Sequence, residues 1–196
     1  MSKRDEIIDI MFFLFAEKGY NASMSDLAKL VKIKVPSIYS HFSSKDEIIL
    51  LVIEKEINNY YHFLNQIIND SIDKNANCKE TLEAIYFSVI EYFKCDNRLR
   101  FWKNISLINN SELRKESKKL IAFYEKANGS LYRSVFENGV KNMEITGENL
   151  QETMYLYLAL IRGTLDVAFI SEDVVLSIDD FAKMSWKAYW EGQRKR

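Results

Sequence analysis

The sequence predicts an all-α fold, with three short N-terminal helices ahead of a larger helical region. Three observations predict it. The 196 residues include only six glycines and one proline, too few for the turns that a sheet-rich fold needs. The hydrophobic fraction is 47%, with twelve Phe, eleven Tyr and three Trp, which supplies a core and excludes a disordered chain. Apolar residues recur at helical spacing through most of the chain.

Ile7, Ile8, Met11, Phe12 and Phe15 trace the first helix, and Gly19 ends it. Ser23 caps the second, with Asp26 three residues on and Leu27, Ala28 and Val31 as its apolar face. The stretch KIKV breaks the pattern, and Pro36 opens a third helix that runs through Phe42. Ser44 or Ser43 caps a fourth, whose apolar positions continue from Ile48 to about Ile72. The polar segment DKNANCKE is a loop and a hinge. Further helices are expected near 79–94, 97–109, 112–142, 147–171 and 177–194, the third of these dividing at Asn128-Gly129. The intervening breaks are KCDN, NNSE, ITGEN and ISEDVVLS. The basic end, Arg194, Lys195 and Arg196, is a solvated tail.

Composition narrows the function. Twenty-seven basic residues balance 28 acidic ones, so any nucleic-acid binding needs a local patch. Residues 1–45 hold seven basic and five acidic side chains, a net of +2, which leaves −3 for the remainder of a chain whose total is −1. The N-terminus is therefore the better phosphate partner. Cys78 and Cys95 form no CxxC and no disulfide pattern, which points to a reducing, cytoplasmic setting. The apolar run IIDIMFFLFA is short and broken by Asp9, so neither a signal peptide nor a membrane span is expected. Two His and two Cys show no metal spacing, the glycines are isolated, and no nucleophile context appears. No cofactor and no enzyme activity are expected.

Helices two and three form a helix-turn-helix. Small Ala28 allows close approach, Ile33 anchors the turn and Ile38 faces inward. The outward side of the third helix carries Val35, Pro36, Ser37, Tyr39, Ser40 and His41. Proline at the first helical position sacrifices no hydrogen bond. It leaves neighbouring N–H groups and Ser37 free for a phosphate or a base edge. The N-terminal end of such a helix is the part that enters the major groove.

The stretch FAEKGYNASMSDLAKLVKIKVPSIYSHFSSKDEI resembles the DNA-binding domain of the TetR family of bacterial transcriptional regulators. The marks are Phe15, Gly19-Tyr20, Ser23 where Thr is usual, Leu27-Ala28, Ile38-Tyr39, Phe42 and Lys45, and the resemblance spans roughly residues 5–53. It implies that Ser23, Ser37, Tyr39, His41 and Lys45 contact phosphates, with Lys34 near the DNA backbone. Val35, Pro36 and Ser40 stand where base edges are read, and apolar Val35 and Pro36 suit a thymine methyl. Two positions depart from the pattern. Ile10-Met11 replaces a small pair, and Lys32 replaces a glycine, at a cost of ~1 kcal/mol if its φ is positive.

Residues 1–47 are thus expected to bind double-stranded DNA at a pseudo-palindromic operator, and 48–196 to form a helical ligand-binding and dimerisation domain. The fourth helix joins them and is the expected lever. Phe101, Trp102, Tyr124 and Tyr155 are ordinary core positions one by one and, together, candidates to line a site for a small apolar or aromatic effector. Glu91 or Asp166 is a candidate counter-charge for a cationic one. Leu156, Ala159, Leu160, Gly163 and Val167 make a stripe with small residues, and Phe181, Met184, Tyr189 and Trp190 make an aromatic-rich terminal helix. Such residues favour an interface, and the resemblance implies a homodimer through this pair of helices. A sequence-specific DNA-binding transcriptional regulator, a homodimeric repressor released by its ligand, is the expected function. The competing reading is a helical small-molecule-binding or interaction protein of the same fold without specific DNA binding.

Overall fold

The computed structural model describes residues 2–94, 97–145, 150–170 and 177–193. Among them are ten α-helices and no strand. Helix α1 is Lys3–Lys18, α2 Met24–Val31, α3 Val35–Tyr39 and α4 Lys45–Asp73. Then come α5 Cys78–Lys94, α6 Arg98–Ser106, α7 Ser111–Asn128, α8 Ser130–Lys141, α9 Leu150–Ile170 and α10 Ile178–Gln193. A 3-10 turn, Gly19–Asn21, joins α1 to α2. The expected break at Asn128-Gly129 is present, since α7 ends and α8 begins there. The loop after α4 is tighter than DKNANCKE. Asn77 and Glu80 bond reciprocally and cap α5, which draws Cys78 into the helix. Cys95, most of ITGEN and of ISEDVVLS, and the tail Arg194–Arg196 lie outside the described residues.

The chain forms two compact units, one of residues 1–60 and 96–126, the other of 61–95 and 127–196. The division falls within α4 and near the end of α7. In the first unit α1 packs on α2 and α6, and α2 on α3. Ser2 and Asp5 form a capping box at the start of α1. Ile7, Met11, Phe15, Leu27, Ile38 and Phe101 are fully buried. The Phe101 ring meets Phe12 at 5.0 Å and Phe15 at 5.4 Å. Asn104 donates to the Phe15 and Ala16 carbonyls at 2.9 and 3.0 Å, satisfying the end of α1 where Gly19 leaves it at φ 56.

The second unit packs α5, α8, α9 and α10 around aromatic rings. Trp186 stacks on Tyr86 at 5.7 Å and on Trp190 at 5.9 Å. Two of the most deeply buried hydroxyls are paired: Tyr86 with Thr164 at 2.7 Å, and Tyr157 with the Leu82 carbonyl at 2.6 Å. Gly139 lets α8 approach α5, because a Cβ there would stand 2.8 Å from the Cβ of Cys78.

Candidate nucleic-acid interface

Ser23 holds the N-cap of α2, its Oγ accepting from the Asp26 N–H at 3.0 Å. Asp26 also receives Lys18 at 3.0 Å, and the bonds from Lys18 and Ser23 hold its carboxyl below the usual range. Helix α2 ends at Lys32 with φ 59 and ψ 43. The lysine does occupy the left-handed region where glycine carries no penalty.

Helix α3 differs from its sequence-based outline. Val35 opens it, so Pro36 takes the second helical position, and it ends at Tyr39 rather than Phe42. The reason for the early end is one carbonyl. Ile38 O accepts from both His41 N–H and Phe42 N–H, at 2.9 and 3.1 Å, and closes the chain into a turn. The Ser37 N–H is not free, since it donates to the Lys34 carbonyl at 2.9 Å. Ser37 therefore presents only its hydroxyl. Ser40 Oγ donates to Ser37 O at 2.8 Å and presents lone pairs. Ile38 is the buried residue of α3. Pro36, Ser37, Ser40 and His41 are exposed, Tyr39 is 48% exposed, and Val35 is half-buried. Lys34 precedes the helix, exposed, with no side-chain cap.

Ser44 caps α4 by accepting from the Glu47 N–H at 3.0 Å, and the Glu47 carboxylate reaches back to Ser43 at 2.6 Å. Lys45 is the residue whose setting the sequence does not reveal. Its ammonium donates to the Tyr20 carbonyl at 2.8 Å and lies 3.8 Å from the centre of the Tyr20 ring. Burial lowers its pKa, and the Asp46 charge partly restores it. One of its three hydrogens is thus spent inside the protein. Beside it, the Tyr20 hydroxyl donates to Asp46 at 3.0 Å, and Asn110 donates to both. The sequence marks NNSE as a break between helices and does not show these bonds.

Residues 7–52 match the model of the bacterial regulatory proteins of the tetR family. The biofilm operon icaADBC negative transcriptional regulator IcaR of Staphylococcus aureus (strain Newman) is 30% identical over 159 residues, covering 79% of this chain and 80% of that protein. The chain belongs to the TetR family. It is a DNA-binding transcriptional regulator with an N-terminal helix-turn-helix, made here by α2 and α3. The transcriptional activator FasR of Mycolicibacterium smegmatis is 28% identical over 100 residues, 50% of this chain and 45% of that protein. Two solved structures share the fold. The regulator FadR from Bacillus subtilis, in complex with stearoyl-CoA, gives a TM-score of 0.74 over 96% of this chain and 98% of that one, at 19% identity. Reduced NemR from E. coli gives 0.77 over 99% and 98%, at 21% identity.

The remaining expected sites of this TetR regulator divide unevenly. Phe101 is 0% exposed and packs as a core ring. Tyr124 donates to Glu54 at 2.9 Å and accepts from Asn58 at 3.3 Å, tying α7 to α4. The Trp102 indole N–H is buried and has no hydrogen-bond partner among the described residues. These three belong to the first unit. Tyr155 belongs to the second and is 61% exposed on α9, bonded to Gln151 at 3.0 Å. Of the two candidate counter-charges, Glu91 pairs with Lys94 at 2.8 Å. A groove of about 600 Å³ in the first unit runs over Leu50, Leu51 and Leu120, edged by Asp46, Glu47, Glu54 and Glu116. None of the four expected ligand residues lines it.

On α9, Leu156, Ala159 and Gly163 are exposed, and Leu160 and Val167 are half-buried. On α10, Met184 is 62% exposed, while Phe181, Tyr189 and Trp190 are half-buried. Tyr189 donates to the Thr153 carbonyl at 3.2 Å, and burial raises its pKa. No helix among the described residues is long and apolar enough to cross a membrane.

Proposed function

We propose that this regulator is a homodimeric repressor that grips a pseudo-palindromic operator with two copies of α3 and lets go when a small apolar or aromatic effector binds. One observation carries the DNA contact. Helix α3 buries Ile38, while its Pro36, Ser37 and Tyr39, with Ser40 and His41 just after it, face solvent. In this reading Ser23, Lys34, Ser37, Tyr39, His41 and the remaining donors of Lys45 hold phosphates. Val35, Pro36 and Ser40 face base edges. One short helix reads few bases, so two are needed, about 34–36 Å apart.

The exposed faces of α9 and α10 support the dimer. A Cβ on Gly163 would meet nothing within 4 Å in the single chain, so that side of the helix is open to a second copy. Residues 1–47 carry DNA binding and 48–196 carry the effector and dimer functions. The unpartnered Trp102 indole supplies a donor to an effector, and Tyr124 flanks the same helical unit. Repression follows the likeness to IcaR, a negative regulator. An effector that prefers a different separation of the two DNA-binding parts lowers operator affinity by the factor of its own preference.

Selection of binding DNA from a random pool, followed by anisotropy titration, tests this. The parent selects a two-fold symmetric sequence, and Tyr39→Ala binds it about tenfold more weakly. A parent that enriches no sequence favours the competing reading, a ligand-binding protein without specific DNA binding.

A further inference from the structure

We infer that Asn110 is a positioning residue for DNA binding, fastening both ends of the helix-turn-helix to the N-terminus of α7; this rests on α3 being the DNA-reading helix. Asn110 directly precedes α7. Its Oδ1 accepts from the N–H groups of Glu112 and Leu113 at 3.0 and 3.1 Å, capping the helix. That fixes which way the amide points. Its Nδ2 then donates one hydrogen to the Tyr20 hydroxyl at 3.1 Å and the other to Asp46 Oδ2 at 3.0 Å. Tyr20 donates in turn to Asp46 Oδ1 at 3.0 Å. Three side chains close a ring in which each donor faces an acceptor.

The ring matters because of where its members stand. Tyr20 lies in the 3-10 turn that enters α2, and Asp46 in the first turn of α4, just after α3. Everything that reads DNA hangs between these two residues. Helix α3 has five residues and one buried anchor, so its own packing restrains it weakly. Its placement comes from its ends. Lys45 bolts the same two ends a second time, through the Tyr20 carbonyl and ring. All three side chains are half-buried, where bonds to a carboxylate are stronger than in open water. A shift of the α7 N-terminus away from Tyr20 and Asp46 loses both Asn110 bonds together.

An ordinary cap accounts for Oδ1 and leaves the Nδ2 bonds unexplained. Asn110→Asp separates the two roles, because aspartate caps a helix as well as asparagine but sets a carboxylate against Asp46. Operator affinity is measured for the parent, Asn110→Asp, and Asp46→Asn combined with Asn110→Asp. The double variant exchanges amide and carboxylate across one bond. Asn110→Asp should lose at least about tenfold, and the exchanged pair should return to within about threefold of the parent. An Asn110→Asp variant that binds like the parent, or an exchanged pair as weak as the single change, overturns the inference. If Asn110→Asp does not fold, Tyr20→Phe decides, since it removes one hydroxyl and keeps the ring under Lys45. A loss of about threefold supports the clamp, and full affinity overturns it. A parent that selects no operator sinks the DNA reading itself, whereas a binding parent with indifferent variants sinks only the clamp.

Discussion

Tyr20 and Tyr157 each give a hydroxyl proton to an oxygen, in different company. Tyr20, half-buried in the first unit, donates to Asp46 and accepts from Asn110, both near the surface. Tyr157, 0% exposed in the second, donates to a backbone carbonyl at 2.6 Å beneath a layer of other rings. The first arrangement fixes where a surface points. The second makes aromatic groups safe to bury, since a buried hydroxyl without a partner costs a few kcal/mol. Substitutions in the first unit should therefore register in DNA binding before stability. Those in the second should register in stability or assembly before DNA binding.

The sharpest way to break that contrast is Gly163→Glu. The site is open in the single chain, so the monomer should fold as before or slightly better, glycine being a poor helix former. A two-fold contact would bury the carboxylate twice, at a cost of about 4 kcal/mol or more. Sedimentation should show a dimeric parent at tens of micromolar and a folded, monomeric variant, whose unfolding midpoint falls only by what association added. A monomeric parent removes the dimer from the account.

Gly139→Val comes next. Its Cβ would press on Cys78 and come within 3.3 Å of Ile145, an overpacking worth about 3 kcal/mol in urea unfolding. Operator affinity of the folded fraction should hold. A loss of affinity without a loss of stability would reverse the assignment of roles.

Cys78 gives a smaller, pH-dependent effect. Burial, then the Glu144 charge, pushes its thiol from an ordinary 9.0 to about 12. The folded protein keeps a proton that the unfolded chain releases between those values. Stability is thus complete below about pH 9 and declines as pH rises toward 12, by about 1 kcal/mol at pH 10. The unfolding midpoint of Cys78→Ala should vary less between pH 8 and 10 than that of the parent. Equal slopes would refute it.

The smallest effect is a gain. Lys32→Gly relieves the left-handed backbone at the end of α2 and should stabilise by about 0.5 kcal/mol after glycine's greater unfolded freedom is subtracted. Operator affinity should not change, which a parallel titration checks.

Local rules made much of the fold legible. Ser23 as a cap, Ile38 as an inward anchor, the break at Asn128-Gly129 and positive φ at Lys32 each depend on neighbours within a few residues. What was not legible depends on distant partners. The Lys45 ammonium is held by a carbonyl 25 residues away, and Asn110 by groups 90 and 64 residues away. Helical spacing marks Phe101, Tyr124 and Tyr155 as aromatic alike. It does not say that the first is sealed in a core, the second bonded to Glu54 and the third in solvent. The early end of α3 came from a competition for one carbonyl, which propensity does not weigh.

The central claim is that two copies of α3 read one operator, and the spacing of the half-sites tests it most directly. Five base pairs inserted between the selected half-sites turn one of them to the opposite face of the duplex, half a helical turn away. A loss of at least about 100-fold in affinity, near 2.7 kcal/mol, is expected. Affinity unchanged by the insertion would contradict it, and would mean that single helix-turn-helix units bind alone.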